Sequence, residues 1–94
     1  MISNQILQST IDGLKNITRK DLSVIEKEGK VIATTEEDMV GRHIEGIDSF
    51  VISPADSQLV LGYQYFKVYD NSVPEYIVQV KGEDEESYRI GKIT

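Results

Sequence analysis

Arg42 and His43 stand side by side in Val40-Gly41-Arg42-His43-Ile44-Glu45-Gly46. This heptapeptide holds the chain's only histidine, one of its three arginines and two of its seven glycines. A guanidinium offers a planar fork of donors that matches a carboxylate at two points. An imidazole beside it adds a donor that titrates near neutrality. Glycine lets a ligand come close to the main chain and its N–H groups. The chemistry within reach of this combination is the holding of a small anion. The same residues also admit a plainer reading, in which Arg42 pairs with Glu45 or Asp38 and His43 caps a helix end. The sequence leaves both open.

A second group of polar side chains lies further on, among Tyr63, Tyr65, Lys67, Tyr69 and Tyr76. Strand tyrosines are commonly half-buried, with an apolar body and a wet tip. Tyr63 or Tyr65 is the better candidate for a pocket wall. The ligand-binding set expected from the sequence is Arg42, His43, Tyr65 and Lys67. No metal ligands and no cofactor are expected.

Covalent catalysis finds little support. The chain has no cysteine, which removes thiol catalysis, thiolate metal sites and disulfides. There is no Gly-x-Ser-x-Gly elbow, phosphate loop or His-Glu-x-x-His helix. The acidic pairs Glu36-Glu37 and Asp84-Glu85 fall at expected helix starts, where the dipole accounts for them. The expectation is a binding module and not an enzyme.

Ninety-four residues make one domain with one modest core. The net charge of −6 argues against a nucleic-acid backbone as a direct partner. No apolar run reaches the roughly 18 residues that a spanning helix needs. The N-terminus has no basic segment followed by a long apolar one, so the expected compartment is the cytoplasm.

The elements that must position these residues read as follows. Ser3 caps a helix over 4–17, with Ile6, Leu7, Thr10, Ile11, Leu14 and Ile17 as its apolar stripe. That stripe either covers a sheet or pairs with a second copy. Strands are expected at 21–26 and 31–34, joined by a turn with Gly29 at positive φ. Thr35 and Asp38 have the spacing of a capping box for a short helix ended by Gly41. A second short helix is expected over 44–53, before the Ser53-Pro54 punctuation. One long central strand is expected over 59–69, then a turn at 70–74 and a strand at 76–81. A last helix starts at 83–86 and runs towards Thr94, where the pattern reads as a boundary inside a longer protein.

The succession Asp21-Leu22-Ser23-Val24-Ile25, Glu28-Gly29-Lys30-Val31-Ile32-Ala33, Val40-Gly41 and His43-Ile44-Glu45-Gly46 resembles the sugar-diacid recognition domain of bacterial carbohydrate-diacid regulators. These are related to the purine-catabolism regulators. The family motif has the form Ile-Gly-x-x-His-Glu-Gly-Ala; here one residue separates Gly41 from His43 and one separates His43 from Glu45. The stretches 62–69 and 76–80 are similar to its shorter members. The resemblance implies a PAS-like sensor of a small anionic metabolite such as a sugar diacid. It implies DNA reading by a separate C-terminal domain.

Taken together, the sequence predicts a single PAS-like α+β domain over 1–94. A central antiparallel sheet of four or five strands carries short helices on one face, and an N-terminal helix packs across it or joins a homodimer. The expected role is the sensory domain of a bacterial transcriptional regulator; the alternative is a ligand-free dimerisation module. No membrane partner is expected.

Overall fold

Ser3 opens the chain's first helix by accepting a hydrogen bond from Ile6 N–H at 3.2 Å, and α1 then runs over Asn4–Thr18. It stops where Arg19 turns left-handed (φ 65°) and its N–H returns to Lys15 O. The computed structural model describes residues 3–82. The expected helix after Glu83 lies outside them. Only the middle of the α1 stripe is used. Ile11 is 1% exposed and Leu7 and Leu14 are half-buried, but Ile6 and Ile17 are exposed.

Strand β1 (Leu22–Glu26) turns into β2 (Val31–Thr34) through the four residues 27–30. Gly29 N–H bonds Glu26 O at 2.8 Å, and Gly29 takes the left-handed position (φ 102°) that a side chain resists. After β2 come a single 3-10 turn at Glu37–Met39 and a short helix, α2 (Ile47–Ile52). The capping box expected at Thr35 does not form. Thr35 Oγ1 instead donates to Asp21 Oδ1 at 2.9 Å and accepts from Leu22 N–H at 3.0 Å, so this hydroxyl clasps the hairpin and not the helix.

The single strand expected over 59–69 is two strands, β3 (Ser57–Val60) and β4 (Tyr63–Asp70). Leu61 and Gly62 both take positive φ (52° and 83°) and form a two-residue hairpin turn. Turns of this kind match the right-handed twist of the strands they join. Asn71 and Ser72 make the next hairpin in the same way (φ 52° and 69°), leading into β5 (Val73–Lys81).

The five strands form one antiparallel sheet in the order β2-β1-β5-β4-β3. Strands β1 and β5 are thus neighbours, although the whole of the connecting structure separates them in sequence. Side chains alternate between the two faces of a strand, and here both faces are covered. Leu22, Val24, Phe66, Val78 and Val80 pack under Ile11 of α1. Ile25, Tyr65 and Ile77 pack under Met39 of the 3-10 turn and Ile47 and Phe50 of α2. The helices therefore do not share one face, as the sequence predicts, but sandwich the sheet. The reason lies in β1 and β5, which are apolar on both sides, and a half-covered sheet would leave one set in water. Each buried aliphatic or aromatic side chain contributes roughly 1.5–3 kcal/mol, so the second layer is worth several residues' burial.

Candidate functional site

The residue pairing across the sheet aligns one polar side chain from each strand on the α2 face. Thr34 of β2 lies opposite Ser23 of β1, Ser23 opposite Gln79 of β5, Gln79 opposite Tyr65 of β4, and Tyr65 opposite Gln58 of β3. Four of the five are buried: Ser23 at 0%, Gln79 at 2%, Tyr65 at 7% and Thr34 at 8% exposure. Polar groups removed from water need partners to offset the lost hydration. Ser23 Oγ and Thr34 Oγ1 find each other at 2.8 Å, and Gln79 Nε2 donates to the Tyr65 hydroxyl at 3.1 Å. Gln79 Oε1 has no partner among the described residues. Turning the amide over does not remove the deficit. Oε1 would then take the tyrosine hydrogen, and Nε2 would be the atom left over.

A charged group borders this row. Lys81, two residues beyond Gln79 on the same face, has its Nζ 3.8 Å from Glu36 Oε2. The other Glu36 oxygen accepts from the Tyr63 hydroxyl at 3.4 Å, and Tyr63 pairs with Lys81 across the sheet. Lys81 N–H donates to Asp21 O at 3.0 Å, which places Asp21 on the other side of the lysine. Burial and the neighbouring Glu36 carboxylate hold the Tyr63 phenol above its usual range. For Asp21, burial pushes the carboxyl up. Hydrogen bonds from Lys15 and Thr35, with the charges of Lys15 and Lys81, outweigh it and hold the carboxyl below the ordinary carboxylate range. The border carries acceptors on Asp21 and Glu36, a cation on Lys81 and a hydroxyl on Tyr63, an assembly suited to hydroxyl groups as much as to charge.

The four residues expected from the sequence are not gathered at one point. Arg42 and His43 are exposed, on a segment strapped along the outer edge of β2. Val31 N–H donates to Arg42 O and Ile44 N–H to Gly29 O, both at 2.8 Å. His43 Nε2 donates to Glu28 O at 2.8 Å, which leaves Nδ1 facing Glu45 Oε1 at 3.9 Å. Neither ion pair expected for Arg42, with Asp38 or with Glu45, occurs among the described residues. Tyr65 is in the row just described. Lys67 lies on the same face of β4, where its ammonium donates to Ser53 O and stands 5.0 Å from the Phe50 ring centre, tying down the end of α2. Beta-2 and β4 are three strand spacings apart, roughly 14 Å. The pair Arg42-His43 and the pair Tyr65-Lys67 are therefore separate places.

Three hollows bordered by described residues lie away from Gln79 and Tyr65. One of about 180 Å3 runs between α1 and the sheet, lined by Leu7, Ile11, Val24 and Val78 among others. Another of about 230 Å3 lies beside the first hairpin, with Lys27, Lys30, Glu28 and Glu75 on its walls. The third, about 60 Å3, is bordered by Gln8, Thr34 and Gly41.

Ser23, Thr34, Gln79, Glu36 and Lys81 were not singled out by their spacing. The available signal was a polar residue between apolar neighbours in a strand, as in Leu22-Ser23-Val24 and Val78-Gln79-Val80. Such a signal marks each residue as facing the second side of the sheet, but it cannot bring the residues together. Comparison with protein-family models, with curated proteins and with solved structures finds no match to this chain.

Proposed function

We propose that this chain is a PAS-like sensory domain that regulates a bacterial transcription factor by binding a small anionic metabolite such as a sugar diacid. The observation that carries this reading is the buried, incompletely partnered polar row under the 3-10 turn and α2. A folded core gains nothing from an orphaned amide, which costs on the order of 1–3 kcal/mol. Departures from good packing of this kind concentrate at functional sites. Support also comes from the connection between β2 and β3, where two short helical pieces lie over one face as a thin cover. Occupancy beneath such a cover shifts the balance between two arrangements of the flanking segments. DNA is read by a separate domain.

The test is thermal melting of the 94-residue chain with D-glucarate, glycerate and purine-derived acids. A ligand that binds only the folded chain raises the midpoint with concentration, by mass action. A rise for one acid with none for sodium chloride at equal ionic strength is the expected result; a flat response across the panel removes the reading. The second reading, a ligand-free dimerisation module, draws on the exposed Ile6 at 59% beside the apolar hollow under α1. Its signature is that flat response with a dimer by light scattering.

A further inference from the structure

We infer that the face of the sheet under α1 carries a binding site of its own, which takes a free α-amino acid with an apolar side chain. The site lies on the opposite face from the polar row and does not depend on the sensory reading above.

Two hollows adjoin on this face. The one of about 180 Å3 is walled by Leu7 and Ile11 of α1 and by Val24, Val68, Tyr76 and Val78 of the sheet. An apolar cavity of roughly 150 Å3 stays dry and accepts a benzene-sized group, so a phenyl or branched alkyl group fits here. Thr10, at the exposed edge, spends its hydroxyl on Ile6 O at 2.8 Å, so that edge asks for no further donor or acceptor. The hollow of about 230 Å3 shares Tyr76 with the first. Strand register explains the junction. Val24 and Glu26 are two apart on β1, as are Val78 and Tyr76 on β5, so each pair points to one face. Val24 lies opposite Val78, and Glu26 opposite Tyr76. Val24 and Val78 pack with Ile11, and Glu26 and Tyr76 continue the same face beyond them. The second hollow carries charge of both signs, Glu26, Glu28 and Glu75 with Lys27 and Lys30. No ion pair joins any of these five side chains among the described residues. Opposite charges that share a hollow without closing on one another suit a ligand bearing both. The ammonium of an amino acid meets the carboxylates, its carboxylate meets the two lysines, and its side chain passes Tyr76 into the apolar hollow. A dianion does not match this wall, where carboxylates outnumber lysines.

The experiment follows side-chain methyl resonances of the 94-residue wild-type chain during titration with L-phenylalanine, a readout that needs no variant to fold. The expected result is saturable movement of the Leu7, Ile11 and Val78 methyls, with Ile47 on the opposite face unmoved, and a melting midpoint that rises with concentration. Phenethylamine, which lacks the carboxylate, and 3-phenylpropionate, which lacks the ammonium, bind about fivefold more weakly or worse. Glycine, with no side chain, moves none of these methyls. The double variant Lys27→Glu, Lys30→Glu changes exposed residues only; it weakens L-phenylalanine about fivefold and does not weaken phenethylamine. Unmoved Leu7, Ile11 and Val78 methyls overturn the inference. So does an affinity for phenethylamine or 3-phenylpropionate equal to that for L-phenylalanine, or full binding by the double variant, because the charged hollow then takes no part. The sensory reading is judged separately: a midpoint raised by D-glucarate while L-phenylalanine does nothing keeps that reading and removes this site, and the reverse keeps this site alone.

Discussion

At Gly29 the backbone takes φ 102°, and a methyl group built there would come within 2.9 Å of both His43 Nε2 and Ile44 O. Two separate penalties act on any side chain, the left-handed backbone and the collision with the strap along β2. Gly29→Ala is expected to lower stability by about 2 kcal/mol, read as a shift of the urea midpoint with unchanged slope. His43 belongs to the same contact, so its first role in the fold is to pin the 42–44 strap to the hairpin turn. Asp21 gives a pH-dependent counterpart. Its carboxyl titrates below the ordinary value of 3.8 in the folded chain. Between the two values the unfolded chain binds more protons, so stability rises with pH there. The contribution is complete above the ordinary value and disappears as pH falls through the lower, folded one. Urea midpoints measured from pH 6 down to pH 2 should therefore fall less steeply for Asp21→Asn than for wild type. A parallel descent of the two curves would show that Asp21 is not part of the acid response.

Among the elements, α1 shows how far periodicity carries. The spacing of Ile6, Leu7, Ile11, Leu14 and Ile17 placed a helix where one exists, and Ser3 marked its start. What the stripe could not say is which members reach the sheet. Ile11, at 1% exposure, sits in the centre of the contact, and Ile17, at 81%, is past its edge. Ile11→Ala is accordingly expected to cost about 2–4 kcal/mol in chemical denaturation, through lost burial and the hollow left behind. Ile17→Ala should change it by less than about 0.5 kcal/mol. The strand region around Gly62 shows the opposite case. Leu59 to Tyr69 is rich in strand-forming residues on both sides of Gly62, so propensity reads one strand. The reversal depends on Leu61 adopting a conformation uncommon for its type, and that is stable only because β3 and β4 then pair over four residue positions. The capping spacing at Thr35 was misleading for a related reason: Asp21 and Leu22, distant in sequence, compete for the same hydroxyl.

For the molecule as a whole, the two apolar clusters share the strands β1 and β5, back to back through one sheet. Loss of either helical layer exposes one side of the same strands, which couples the layers energetically. The two edges of the sheet differ. The β2 edge is covered by the Arg42–Ile44 strap, and the β3 edge is short, with Leu59 and Val60 partly in water. None of the described helices is long and apolar enough to cross a membrane. Through composition and local pattern alone, the sequence determined an α+β domain without thiol chemistry, an N-terminal helix, the first hairpin and its glycine turn, and the strand at the C-terminal side of the sheet. Those features depend on residues within a few positions of one another. The partition of helices between two faces, the split at Gly62, and the alignment of Thr34, Ser23, Gln79 and Tyr65 were decided only by the tertiary structure. Side chains alternate with a period of two along a strand, so a slip of one residue between β1 and β5 would send Gln79 to the opposite face from Ser23. That register is fixed by packing between segments more than fifty positions apart, and no local pattern in the chain carries it.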